Sequence, residues 1–446
     1  MVVGGPWDSA GMGDDDRLTA KQFQQAGGVD DWRVLAFGAS AWFDAPSHAA
    51  GATLLSRIAE LTGDAGRLPD VDLRAGGVHV RIGVDGSGGF GQADAAVARA
   101  ISGAARDLGL AADPSAVQTV QLAMDALDKP AVMAFWRAAM GYEPMGDDDL
   151  VDAMRRDPAI WFQQQDQPRP LRNRIHVDVA RPQALTPAGA EAVGGRHLGG
   201  AYEVGFADAE GNEADVILAE PGDELGKAVE TADWRAMFGG MTFYPITSAS
   251  RAAELATVVA GLADDAGLPL LVDLRPDGVT IDSGKDLWEE DGFTDLARQV
   301  QAAARGMGLT ADTTRLRFVQ IGIDAVDIPT VRAFWRAVLG YEYDPRSEFG
   351  VTDIYDPRRL NMPIFFQQMP ESDEARRKQR NRIHVDVFVP DDQARARIAA
   401  ALAAGGRVVH DGAPQGWTIA DPEGNELDIA VSVGREEHWQ AHPPIR

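Results

Sequence analysis

The 446-residue chain contains no cysteine at all. That removes disulfides, thiolate nucleophiles and cysteine zinc sites together, and with them the disulfide-stapled secreted scaffolds. Basic side chains are scarce: 42 Lys and Arg stand against 68 Asp and Glu, a formal charge of -26. A protein that neutralises phosphates needs a basic face, so nucleic-acid and polybasic membrane-surface partners are disfavoured. No run of about 18 apolar residues occurs, so no membrane span is expected. Residues 1–16 hold neither Lys, Arg nor an apolar stretch and read as a frayed tail rather than a signal peptide. The cytoplasm is the default location. Aromatics make up only 7% of the chain, against a hydrophobic share of 45% and a charged share of 25%, ordinary values for a globular protein.

What the chain does contain is repetition. Arg172-Asn173-Arg174-Ile175-His176-Val177-Asp178-Val179 recurs unchanged at 380–387, and Phe135-Trp136-Arg137-Ala138 recurs at 334–337. Gly141-Tyr142-Glu143, Val71-Asp72-Leu73-Arg74, Asp31-Trp32-Arg33 and Gly211-Asn212-Glu213 also recur, in order, at 340, 272, 233 and 424. The offsets run from 199 (135 to 334) to 213 (211 to 424), so a unit of some two hundred residues occurs twice. Each unit divides again. A first part alternates strand-like stretches with two helical patterns (49–62 and 93–108; 250–265 and 294–307). A second part, from Val117 and Leu316, reads as strand, short helix, then further strands. The fold class is α+β, arranged A–B–A–B. The expected boundaries are 17–113, 114–222, 223–313 and 314–434, with 435–446 a C-terminal tail; the composition of Glu220-Pro221-Gly222-Asp223 supports the middle seam.

Asp128 and Phe135-Trp136-Arg137 before Gly141-Tyr142, together with Asp208-Ala209-Glu210-Gly211-Asn212-Glu213 and Asp421-Pro422-Glu423-Gly424-Asn425-Glu426, give the B modules a resemblance to the vicinal oxygen chelate superfamily, the glyoxalase and bleomycin-resistance fold of βαβββ repeats. The resemblance implies metal ligands at three strand positions of a cupped sheet. By position these are Gln121, His176 and Asp215 in one module and Gln320, His384 and Asp428 in the other, His176 and His384 being the central, catalytic ones. The superfamily's more usual set is His, His and Glu. Both copies have Gln for the first His and Asp for the Glu.

Strand alternation places Arg174, His176 and Asp178 on one face, and Gln121 with Asp125, or Gln320 with Asp324, on another strand's matching face. A neutral imidazole, an amide oxygen and a carboxylate suit a divalent ion such as Mn, Fe, Co, Ni or Zn. Gln163 and Gln367 could add a fourth ligand, or form the wall of a metal-free pocket. Trp161, Phe365, Arg174 and Arg382 complete the expected substrate pocket. The basic run Arg376-Arg377-Lys378 reads either as an exposed loop end or as a lid that attracts anions. The intact Asp421-Pro422-Glu423-Gly424-Asn425 turn singles out the second B module as the active copy.

Leu68-Pro69-Asp70-Val71-Asp72-Leu73-Arg74, Gly76-Gly77-Val78-His79-Val80 and the later Gly88-Gly89-Phe90 resemble the pterin-4a-carbinolamine dehydratase fold. That family's His-His-Pro cluster falls on Arg67-Leu68-Pro69 and Gly267-Leu268-Pro269, and its third His on Asp85 and Asp286. Leucine has no proton to give, so the dehydration cannot run as in the family; the A modules read as scaffold, as dimerisation surfaces or as pockets turned to another ligand, and His79 as a surface or ordinary strand residue. The triplets Asp147-Asp148-Asp149 and Glu289-Glu290-Asp291 lack the alternation of a calcium loop and read as solvated loops. Gly86-Ser87-Gly88-Gly89 lacks the residues of a phosphate or dinucleotide loop, so no nucleotide cofactor is expected. Two function classes follow. One is a metal-assisted lyase or isomerase acting on a small molecule; the other is a non-catalytic binder of an antibiotic or aromatic metabolite, with a pterin dehydratase a minor third. A homodimer, or duplicated halves that replace one, are both open.

Overall fold

The computed structural model describes residues 17–36, 38–63, 68–83, 90–165, 167–219 and 224–441. It divides into two compact units. One joins Gln118–Leu218 with Arg317–Ser432; the other comprises the described parts of Trp7–Val117, Ala219–Leu316 and Val433–Arg446. Arg67, Asp85, the glycine stretch 86–89, the seam at 220–223 and the tail 1–16 lie outside the described residues. Arg435–Ala441, within the expected C-terminal tail, is helical. No described helix is long and apolar enough to cross a membrane.

The second unit holds one eight-stranded sheet, four strands from each A module. It runs Arg235–Ala236, Gly240–Pro245, Gly278–Asp282, Leu271–Arg275, Asp70–Arg74, Gly77–Ile82, Gly38–Asp44, Arg33–Leu35. The two halves meet where Leu271–Arg275 pairs antiparallel with Asp70–Arg74, Asp273 opposite Asp72. Two like charges facing each other would repel. The repeated Val-Asp-Leu-Arg resolves this, because each Arg reaches the other copy's Asp: Arg74 Nη1 to Asp273 Oδ1 and Arg275 Nη2 to Asp72 Oδ1, both 2.7 Å. His79 joins them, its Nδ1 2.7 Å from Asp72 Oδ2. It is buried, not a surface residue. Burial alone would raise the Asp72 carboxyl, but Arg275, the His79 hydrogen bond and Arg74 outweigh it and hold the group well below the usual carboxylate range. On the apolar face, helices His48–Thr62 and Ala249–Ala266 pack on one core shared by both modules. Asp264 of the second helix accepts hydrogen bonds from the His48 and Ala49 backbone amides, capping the first.

The first unit holds two eight-stranded sheets, and each is half one B module and half the other. One sheet runs Arg407–Gly412, Gly416–Ala420, Glu426–Ala430, Ile383–Phe388, then Thr119–Ala126, Ile160–Gln164, Asp149–Val151, Glu143–Met145. The other runs Arg196–Gly199, Gly205–Ala207, Glu213–Leu218, Ile175–Arg181, then Phe318–Ala325, Ile364–Gln368, Ile354–Tyr355, Glu342–Tyr343. Each βαβββ half has a central strand with an open edge, and antiparallel pairing with the other module's central strand removes it. The helices Lys129–Met140 and Ile328–Leu339 are set by local sequence. Asp128 and Asp327 cap their starts, a proline follows in the first turn, and Gly141 and Gly340 end them at φ 66° and 65°. They bury Trp136 and Trp335 completely, each indole donating to a buried carboxylate, Asp208 or Asp421, at 3.0 Å.

Candidate functional site

The crossed sheets decide which residues meet. His384 lies opposite Ala123 and Asp386 opposite Gln121; His176 lies opposite Gly322 and Asp178 opposite Gln320. Gln121 therefore belongs with His384 and Asp428, and Gln320 with His176 and Asp215. The grouping of Gln121 with His176, read from linear order within one module, does not hold: the first strand of each module pairs with the other module's histidine strand. Neither cluster belongs to one copy, so the question of an active second module becomes a question of which cluster is competent.

Around His384, Nε2 stands 3.5 Å from Asp386 Oδ1 and 3.8 Å from Asp428 Oδ2, and 3.1 Å from the Gln163 amide nitrogen. Gln121 donates to Asp386 Oδ2 at 2.9 Å. All five side chains are buried. Around His176, Nε2 is 3.6 Å from Asp178 Oδ1 and Gln320 donates to Asp178 Oδ2 at 2.8 Å. In each cluster one ligand atom from the histidine and from each of the two aspartates lies within 4.8 Å of the others. Asp178 and Asp386, two residues past each histidine, complete these triads; the strand alternation could have nominated them as ligands alongside Asp215 and Asp428. Burial raises the Asp215 carboxyl; Glu213 adds to this while His176 and Arg172 oppose it.

A metal fits this donor set. Among the described residues, Asp428 Oδ1 and Gln320 Oε1 are buried oxygens without a hydrogen-bond partner, and such atoms cost free energy unless something satisfies them. One imidazole, two carboxylates and an amide oxygen suit a borderline divalent ion.

The remaining expected pocket residues divide. Trp161 is buried on the row Asp149–Trp161–Ala123–His384, and its indole nitrogen has no acceptor among the described residues. Phe365 is half-buried and meets the His176 ring edge-on, centroids 5.6 Å apart. Gln367, the counterpart of Gln163, is exposed, and its side chain makes no hydrogen bond among the described residues.

Arg174 and Arg382 are not brought to the clusters. Both are buried with their guanidinium groups committed to the other module's backbone: Arg174 donates to Glu423 O (2.6 Å) and Gly424 O (3.1 Å), Arg382 to Gly211 O (3.0 Å) and to the carbonyls of Arg169 and Leu171. Asn173 and Asn381 cross likewise, accepting from the Arg382 and Arg174 backbone amides, and each donates within its own module, to Asn212 and Asn425. Two of the eight residues of the repeat thus lock the modules together. Arg376 is buried against Asp324 and the Arg172 and Asn173 carbonyls rather than waiting on a lid.

Asp149, read as part of a solvated loop, sits in a short strand beside the His384 cluster. Burial, then the charges of Asp148 and Asp386, push its carboxyl up to about 7 against the opposing pull of Lys129. The recurrence of Asp149-Leu150-Val151-Asp152 as Asp353-Ile354-Tyr355-Asp356 was the available signal.

Residues 121–217 and 320–430 match the family described as glyoxalase-like domain. The two matched segments include every residue of both clusters. Among solved structures, glyoxalase I from Zea mays is similar over 73% of this chain and 98% of its own, at 10% identity and a TM-score of 0.34. A glyoxalase/bleomycin resistance protein/dioxygenase family enzyme from Burkholderia phytofirmans matches 26% of this chain and 97% of its own, at 17% identity and a TM-score of 0.20. A hypothetical protein from S. aureus matches 25% and 89%, at 14% identity and a TM-score of 0.20. No curated protein matches the chain.

Proposed function

We propose that the protein is a small-molecule enzyme of the vicinal oxygen chelate type, with divalent-metal-assisted lyase or isomerase chemistry. The observation that carries this reading is the convergence of His384 with Asp386, Asp428, Gln121 and Gln163, and of His176 with Asp178, Asp215 and Gln320, each drawn from opposite modules. His384, Asp428 and Gln121 would hold one ion; His176, Asp215 and Gln320 another. Mn, Fe, Co, Ni and Zn are the candidates. When bound, such an ion supplies Lewis acidity toward a pair of substrate oxygens. The chain's own part is orientation and exclusion. Asp386 fixes the Gln121 amide, and Asp178 fixes Gln320, whose amide oxygen has no hydrogen-bond partner among the described residues. The buried sheet face keeps bulk water from the imidazoles. The A modules serve as scaffold in this reading.

A second reading has its own observation. The Gln163 amide is already hydrogen-bonded to His384, as it would be in the polar wall of a metal-free pocket, and a non-catalytic binder of an aromatic metabolite would need no more. Calorimetric titration of the chelator-dialysed protein with Ni(II) or Mn(II) separates the two. Saturable uptake of one or two equivalents supports the enzyme; absence of uptake for either ion, and for Zn(II), leaves the binder.

A further inference from the structure

We propose that Arg181 and Arg317 form a binding site for the carboxylate of a small molecule, on the helix side of the sheet and apart from both histidine clusters. The site is independent of the metal reading above.

The site begins as a conflict of charge. The strand Ile175–Arg181 pairs antiparallel with Phe318–Ala325, and Ala180 lies opposite Phe318. One step further the same register sets Arg181 against Arg317. Like charges directly opposite each other repel. In the other sheet the equivalent step, beyond Phe388 and Thr119, holds Val389 and Gln118 and carries no charge. Both guanidinium groups converge on Gly141, which ends the helix Lys129–Met140. A Cβ there would stand 2.7 Å from Arg181 Nη1 and 3.1 Å from Arg317 Nη2. Alternation along the strand puts Arg181 on the face opposite His176 and Asp178, so the pair stands away from the clusters.

Only one of the two charges is answered. Arg317 is paired with Asp152, donates to Gly141 O at 2.9 Å and lies over the Tyr142 ring, 5.1 Å from its centroid. Asp152 is committed as well to the backbone amides of Met154, Arg156 and Asp157. Arg181 makes no hydrogen bond or ion pair among the described residues, and its Nε is buried without a partner. Burial, then the charge of Arg317, pull its guanidinium down to about 10, with no carboxylate acting against them. The arginine at the end of the other helix is spent differently: Arg397 approaches Gly340 and donates to Val338 O at 3.0 Å. A buried cation without a partner is costly, so the Arg181 site is one negative charge short. Two arginines and one aspartate leave a single positive charge. A carboxylate matches it and offers two oxygens, the geometry to which guanidinium groups donate in pairs. A phosphate dianion would leave surplus negative charge beside Asp152. Arg181 is 8% exposed and the Arg317 side chain 12%, which suits a small solute rather than a macromolecule.

The probe is acetate, added to the full-length, metal-free protein in place of chloride at constant ionic strength. The melting temperature is followed, and saturation-transfer NMR reads binding at the acetate methyl. The expected result is a saturable rise of about 3–6 °C at ten times the half-saturating concentration, with transfer to acetate. Arg181→Met should abolish both. In chloride alone its melting temperature should be no lower than that of the unsubstituted protein, because the substitution removes an unpaired buried charge. A variant that melts lower in every buffer, the mark of an arginine that only caps the helix end, overturns the proposal. So does an acetate response that survives in Arg181→Met, or phosphate that displaces acetate at equal concentration. The NMR measurement on the unsubstituted protein needs no variant: absence of transfer to acetate refutes the site.

Discussion

Replacing Arg174 with methionine should damage the cluster that Arg174 is not next to in sequence. The residue lies two positions before His176, yet its buried guanidinium donates to Glu423 O at 2.6 Å, Gly424 O at 3.1 Å and, more weakly, Gln379 O at 3.4 Å. Hydrogen bonds from a charged donor contribute about 1.5–3 kcal/mol each. The two short ones together give roughly 3–6 kcal/mol, and relief from desolvating the arginine returns part of it. Methionine fills the stem and leaves the carbonyls without donors, so the expected net loss is about 3 kcal/mol in the unfolding of the unit built from 118–218 and 317–432. The Glu423–Gly424 turn leads directly into Glu426–Ala430, the strand bearing Asp428. Metal uptake at the His384 cluster should therefore weaken while the His176 cluster keeps its affinity; Arg382→Met should do the reverse through Gly211 and Asp215. Urea titration followed by circular dichroism gives the first quantity and calorimetric nickel titration the second. A loss below about 1 kcal/mol, or an effect confined to the His176 cluster, would refute the reasoning.

Other outcomes follow from the same structure. Asp72 is held ionised by Arg275, His79 and Arg74, so its contribution to stability is present above the unfolded carboxylate pKa and is lost as pH falls through its lower folded value. Asp72→Asn should cost about 3 kcal/mol at neutral pH by taking the 2.7 Å carboxylate from the buried Arg275, which keeps Asp70 only at 4.0 Å, and should flatten the acid limb of a melting-temperature profile between pH 6 and 2. Asp149 has the opposite sign. Its folded pKa is raised to about 7, so the native state holds a proton the unfolded state has lost, and stability falls as pH rises from about 4 to 7. Asp149→Asn should remove that decline, read as the difference in melting temperature between pH 5 and pH 8. Gly322→Ala places a methyl 2.1 Å from the His176 ring and should displace the imidazole, costing about 1–3 kcal/mol and one equivalent of bound metal.

Much of the organisation was legible in the sequence. The repeated motifs fall in corresponding strands and helices, and the Asp residues and terminal glycines that bound the two tryptophan helices are local signals that the structure keeps. What could not be read was partner choice. Strand periodicity says which side chains share a face but not which distant strand supplies the neighbour, so Gln121 was grouped with His176 rather than His384. Arg174 shows the limit of alternation. It precedes the strand Ile175–Arg181, outside the ladder, and its long side chain turns to the other module's backbone. Gln163 and Gln367 sit in nearly identical local sequence, Phe-Gln-Gln, and differ only through their tertiary surroundings. Asp149 was hidden because three consecutive aspartates suggest solvation, and a three-residue strand is too short to show a period.

The crossed assembly of the metal clusters is the central claim, and bound-metal stoichiometry by elemental mass spectrometry tests it most directly. His384→Ala should lose one of two equivalents. Adding Gln121→Ala should remove nothing further, because both residues serve one cluster, while adding Gln320→Ala to His384→Ala should remove the second. A protein that takes up no divalent metal, or one in which Gln121→Ala removes the equivalent that His176→Ala also removes, would contradict the account.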